Sequence, residues 1–193
     1  MTFEEIEKNE TIRAYISKAD ESLVALGYTE HSFAHVTHVA AMAGYLLETL
    51  GYDAHTVELA KIAGYLHDIG NLVNRIEHSQ SGAVMAFQIL TSLGFGAEDV
   101  ATIVTAIGNH DEGTGVPVNA VAAALILADK ADVRRSRVRN QDTTTFDIHD
   151  RVNYSVKKST LKINEDRTLV KLKLTVDTHF GSAWTILKFS CSA

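Results

Sequence analysis

One cysteine, Cys191, and one proline, Pro117, stand among 193 residues. A lone cysteine closes no internal disulfide, so the chain is no disulfide scaffold and suits a reducing compartment. Long hydrophobic runs are also missing. The longest, Ala120 to Ala128, falls well short of the ~20 residues a membrane helix needs. Positive charge is scarce: 18 lysines and arginines face 24 acidic residues, for a net charge of -6. That balance argues against broad electrostatic binding, so no stable nucleic-acid binding is expected. No basic-then-apolar leader opens the sequence, which begins acidic with Glu4, Glu5 and Glu7. The expectation is a soluble cytoplasmic protein with no membrane contact, large enough for one well-packed domain.

Helical periodicity fills most of the chain. Thr2 and Glu5 form a capping box, and apolar spacing continues through Ile12, Ile16, Leu23 and Leu26 to a stop at Gly27. Further helices are expected from near Thr29 to Ser32 through about Leu50, after Asp53 to Gly70, from roughly Ser79 to Leu93, from Ala97 to about Asn109, and from near Asn119 through the arginines at 134 and 135. Gly70 stands where a left-handed helix-ending residue would. The stretch DEGTGVP, holding the sole proline, reads as a loop, and a weaker helix covers 142–156. After Lys158 the pattern alternates: STLKIN and TLVKLKLTV read as two strands joined at NEDRT, with GSAWTILKFSCSA unplaced behind them. The expected fold is mostly α, a helical bundle over 1–157 with a β-hairpin appendage over 158–193.

Against these absences stand nine histidines. The most telling are in AKIAGYLHDIGN, where an apolar helix runs into His67 and Asp68. A carboxylate in such surroundings must be paired, hydrogen-bonded or bound to a metal. His31 and His35 lie one turn apart and share a helix face. His78 and His110 sit at other helix ends, and Asp129 lies inside an otherwise apolar helix. A bundle can bring such residues to one ion, as bundle-core metal sites do.

Taken in order, His35, His67-Asp68, His78, His110 and Asp129 resemble the HD-domain superfamily of metal-dependent phosphohydrolases. HVTHVA is similar to the family's H-x-x-x-V-A, YLHDIGN to its LLHDIGK, and HSQSGA to the H-x-x-x-G-A of two-metal members. AIGNHDEGTGVP followed by ILADKAD resembles, in shortened form, the HD-GYP branch. The resemblance implies an HD-type bundle and one ion on His35, His67, Asp68 and Asp129. A second would sit on His78 and His110, with Asp68 bridging. Mn, Fe, Ni, Co, Zn or Mg would serve. It implies a hydrolase with Asp68 and His110 as catalytic residues, cleaving a phosphate ester of a nucleotide or small metabolite by a metal-bridging hydroxide. His31, Lys130, Arg134 and Arg137 are the candidates for holding substrate, Arg being suited to phosphate. The alternatives are a diiron HD-type oxygenase, or a non-catalytic HD module for binding or dimerisation; a homodimer fits either. Asn71 replaces a family lysine thought to hold phosphate, so that contact must come from elsewhere. The GYP signature is absent, which argues against cyclic-di-GMP.

Overall fold

In the computed structural model of the chain, residues 2–111, 113 and 115–181 are described. Eight α-helices precede a two-stranded antiparallel hairpin: α1 Phe3–Lys8, α2 Glu10–Ala25, α3 Phe33–Leu50, α4 Ala54–Leu66, α5 His78–Ser92, α6 Ala97–Gly108, α7 Ala120–Ala131, α8 Ile148–Ser155, then β1 Val156–Ile163 and β2 Val170–Val176. No helix among the described residues is long and apolar enough to cross a membrane.

Side-chain caps set most of the helix starts. Ser32, Asp53 and Asn119 accept backbone N–H bonds at the heads of α3, α4 and α7, satisfying donors that have no partner within the helix. The expected first helix is two, because Asn9 leaves helical geometry and its side chain accepts from Ile12 N. Helices α3, α4, α5, α6 and α7 pack around one core whose members include Val39, Ala43, Ile62, Leu66, Ile103 and Leu125. Small residues set the spacing. A Cβ on Gly64 would lie 2.8 Å from Ala40 Cα, so α3 and α4 approach backbone to backbone there.

Several expected boundaries shift. Helix α4 stops at Leu66, not Gly70; a 3-10 turn covers Ile69–Leu72. Gly70 is not left-handed. It is glycine because a Cβ would sit 2.0 Å from His78 O, at the seam between this turn and α5. His78 is the first residue of α5 rather than a residue ahead of it. Helix α7 ends at Ala131, so the arginines from 134 onward belong to an irregular segment with a short 3-10 turn, Arg135–Arg137, and do not cap a helix. The weak helix over 142–156 is a 3-10 turn, Thr143–Thr145, followed by α8.

The hairpin pairs Lys162 with Lys171 and Leu161 with Leu172. It is fastened to the bundle by buried Leu161 and by Ser159, whose hydroxyl donates to Ala131 O. The tail after Gly181, Cys191 with it, lies outside the described residues.

Candidate metal centre

The chain ends of α4, α5, α6 and α7 and the first turn of α3 deliver six side chains to one buried point. His35 Nε2 lies 3.3 Å from His67 Nε2, 3.3 Å from Asp129 Oδ1 and 3.4 Å from Asp68 Oδ2. His67 Nε2 lies 3.2 Å from Asp68 Oδ2 and 3.7 Å from Asp129 Oδ1. On the other side of Asp68, His78 Nε2 is 3.3 Å from Oδ1 and 3.2 Å from His110 Nε2. The four rings are buried.

The ring tautomers follow from the partners at Nδ1. His67 Nδ1 is 2.8 Å from Gly64 O, His78 Nδ1 is 3.1 Å from Arg75 O, and His110 Nδ1 is 2.6 Å from Ile107 O. A carbonyl oxygen only accepts, so each Nδ1 carries a hydrogen, and the tautomer that binds a metal through Nε2 is the one selected. His35 makes the same bond to Asp132 Oδ2 at 2.8 Å. The Nε2 atoms of His78 and His110 face one another at 3.2 Å, and two lone pairs at that distance repel unless a positive charge lies between them.

His35 stands apart. Burial, then Arg137, opposes a cation there, but Asp129, Asp132 and Asp68 outweigh them and hold its pKa up at about 10, so without a metal its Nε2 carries a proton in the place a metal cation would take. Burial likewise opposes the carboxylate of Asp68, yet His67, His31 and His35 hold it well below the usual range. Asp129 is held down in the same way, by Lys130 and His35 against burial. Burial, then His67, pulls His110 down to about 3, so its ring stays neutral. Asp68 Oδ2 is nevertheless buried with no hydrogen-bond partner.

This donor set fits a divalent ion. At bonds of about 2.1 Å, neighbouring ligands are about 3.4 Å apart in a tetrahedron and about 3.0 Å in an octahedron. The observed separations around His35 and His67 span 3.2–3.7 Å. Two overlapping sets could hold a metal: His35, His67 and Asp129, and His67, Asp68 and His110. Both contain His67, and Asp68 has an oxygen toward each side.

A cleft opens onto this centre, lined by residues that include Tyr28, His31, Asp68, Arg75, His78, His110, Asp129, Lys130, Arg137 and His149. Its inner space is about 70 Å³. At about 10–15 Å³ per water-sized sphere, that is room for about five to seven such spheres.

The sequence candidates divide clearly here. His31 lines the cleft, with Nδ1 on Thr29 O at 2.8 Å and its ring centroid 5.5 Å from that of His35. Lys130 lines it too, 3.2 Å from Asp129 Oδ2. Arg134 is not brought to the cleft: its guanidinium is held by Asp132 Oδ1 at 2.9 Å and Glu30 Oε2 at 3.2 Å. Arg137 reaches the wall, but Nε donates to Glu30 O and NH1 to Asp132 O. With Arg139, which pairs with Asp20 of α2, these arginines fasten the segment after α7 to α2 and to the loop before α3. They hold protein groups because Glu30, more than 100 residues earlier, arrives beside them, and Asp132 lies close by in the same segment.

Two residues escape the sequence reading. Arg75 NH1 lies 3.2 Å from His78 Nε2 and 3.9 Å from Asp68 Oδ1, on the cleft wall. Its only signal is that it follows the missing family lysine by four residues. His149, expected to be ordinary, also lines the cleft, from α8. Asp132, open between a supporting and a surface role, proves buried and orients His35. Asn71 is buried, and its amide donates to Asp68 Oδ1 at 2.9 Å, fixing that carboxylate. His38 is half exposed and His55 pairs with Asp99 at the surface.

Residues 32–154 match the family model for the HD domain. The chain belongs to the HD-domain family. An uncharacterised protein of Methanocaldococcus jannaschii is 25% identical over 193 residues, covering 88% of this chain and 74% of its own. Ribonuclease Y of Bacillus subtilis is 30% identical over 119 residues, and that of Latilactobacillus sakei 33% over 122. Those matches take in 62% and 63% of this chain but only 21% and 22% of the ribonucleases, so this HD protein spans about a fifth of their length. A crystal structure of a predicted HD superfamily hydrolase from an uncultured Thermotogales bacterium aligns with TM-score 0.50 and 25% identity, over 68% of this chain and 73% of that one.

Proposed function

We propose that this HD protein is a metal-dependent phosphohydrolase acting on a phosphate ester of a nucleotide or small phosphorylated metabolite. The observation that carries the reading is the convergence of four Nε2 atoms and the carboxylates of Asp68 and Asp129 at ligand spacing beneath an open cleft. That the Thermotogales neighbour is described as a hydrolase, and the Bacillus relative as a ribonuclease, supports it.

His35, His67, Asp68 and Asp129 would hold one ion; Asp68, His78 and His110 would hold a second. Divalent ions bound there supply Lewis-acid activation of water and of the phosphoryl oxygens. The chain's own residues do the rest. Asp132, Gly64 O, Arg75 O and Ile107 O keep each ring in the tautomer that offers Nε2. Asn71 keeps Asp68 Oδ1 turned toward His78. Of the cleft cations, Arg137 spends its Nε and NH1 on protein carbonyls, whereas among the described residues Arg75 engages NH1, with His78 and Asp68, and lies over the Tyr28 ring, leaving its other nitrogens to a ligand. Arg75 therefore takes the phosphate-holding part expected of Arg134 and Arg137, with the planar fork that suits phosphate oxygens. His31 and Lys130 flank it.

The test is hydrolysis of p-nitrophenyl phosphate and bis(p-nitrophenyl) phosphate by protein whose metal content has been read by elemental analysis. Turnover that tracks metal content and is lost on chelation is expected. Metal-loaded protein inert toward both esters and toward a nucleotide panel would overturn the reading.

A further inference from the structure

The hairpin carries a charge pattern at odds with the rest of this acidic chain. Lys158, Thr160 and Lys162 of β1 and Lys171, Lys173 and Thr175 of β2 line a single groove on one face. They pair across the strands as Lys158 with Thr175, Thr160 with Lys173 and Lys162 with Lys171. The four lysines are exposed. No described carboxylate pairs with any of them, whereas neighbouring Lys157 is paired with Asp177 at 3.0 Å. Like charges directly opposite one another destabilise a ribbon, so Lys162 against Lys171 costs stability. Guarding a strand edge takes a lysine or two, not four gathered on one face.

We propose that this face binds the phosphodiester backbone of a nucleic acid. The net charge of -6 predicts repulsion for the molecule as a whole. At physiological salt, however, exposed charges act over about 8 Å, so a local patch sets the local outcome. The shape selects the polyanion. Two strands about 4.8 Å apart present a narrow line of charge that follows a linear polymer, where a bilayer offers a plane. Hydroxyls interleaved with ammonium groups are the donors that commonly contact phosphate oxygens. Among the described residues the face holds no aromatic side chain for base stacking, so recognition is of the backbone and independent of sequence. A ribbon of this kind also fits a duplex major groove. The inference stands apart from the metal centre, and its test reads binding alone.

The experiment is anisotropy of a short fluorescent DNA, single-stranded and duplex, titrated with the full chain at several salt concentrations. Four phosphate contacts at a slope of about -0.9 each predict about 150-fold weaker duplex binding at 200 mM than at 50 mM salt; at about -0.7 each, single strands weaken about 50-fold. Replacing Lys158, Lys162, Lys171 and Lys173 by threonine, which keeps strand propensity, should flatten that dependence. Each single replacement should lower the slope by about one. Lys8→Thr with Lys18→Thr, at exposed ion-paired lysines elsewhere, should leave it unchanged. No binding at 50 mM salt, or a slope the single variants do not move, would overturn the proposal. So would tighter lysine-dependent binding to phosphatidylserine vesicles, or lysine-dependent self-association without DNA binding.

Discussion

Replacing Asp68 by asparagine should separate the stability of the bundle from its ability to gain stability from metal. The side chain keeps its shape and its bond from Asn71, and loses the charge that both donor groups face. In the metal-free chain Asp68 Oδ2 is buried without a partner, so neutralising it removes a group whose desolvation costs about 1–3 kcal/mol. That gain is set against lost attraction to His35 and His67, and the metal-free variant should unfold within about 1 kcal/mol of the parent. Metal changes the comparison. At a concentration 100 times its Kd, an ion that binds only the folded state adds about 2.7 kcal/mol. For a chain of this size that raises Tm by about 5–11 °C. If losing one anionic ligand weakens binding about 100-fold, the variant gains only about 0.4 kcal/mol, or about 1–2 °C, at the same concentration. Thermal melts of parent and variant with and without Mn2+ read this directly. Equal Tm rises in the two proteins would refute the assignment of Asp68 to the metal.

Asp132→Ala should weaken metal binding about 10–100-fold while leaving every proposed ligand in place, because it frees His35 Nδ1; a metal titration followed by calorimetry checks this. Arg75→Gln should raise KM for a phosphate ester more than it lowers kcat, and steady-state kinetics at fixed metal content would show the split. Gly64→Ala should destabilise by about 1–3 kcal/mol in urea melts, since the new methyl meets Ala40 backbone at 2.8 Å. Lys157, the His179 N–H and Arg135 hold the Asp177 carboxyl down at about 2. A depressed carboxylate contributes stability above its unfolded pKa of about 3.9 and loses it as pH falls toward 2. Parent and Asp177→Asn should therefore differ in stability at pH 6 and converge near pH 2.

The donor order is legible in the sequence through its resemblance to the HD family, and caps and periodicity place those donors at or near helix ends. Ser32, Asp53 and Asn119 announce α3, α4 and α7, which carry His35, lead to His67 and carry Asp129. What stayed hidden depends on partners far away in the chain. Nothing local says that Arg134 and Arg137 meet Glu30, more than 100 residues earlier, so they pass for free cations. Arg75 lies in a turn without periodicity, and only the folded chain shows it beside Asp68. Gly70 misled for a related reason. A glycine behind a helix suggests a left-handed stop, but this one answers to the backbone of α5.

The anchoring of the four rings carries a consequence for how the centre comes into being. His67, His78 and His110 each lean on a carbonyl three residues back, so a single turn of chain aims each of them. His35 depends instead on Asp132, 97 residues onward. Three donors can thus be ready as soon as their own turns form, while the fourth waits for the last part of the bundle to close. The segment that brings Asp132 also carries Arg134 and Arg137, which tie it back to Glu30. Full metal affinity should therefore be the last property this protein acquires on refolding and the first it loses on unfolding, making a bound ion a reporter of completed assembly.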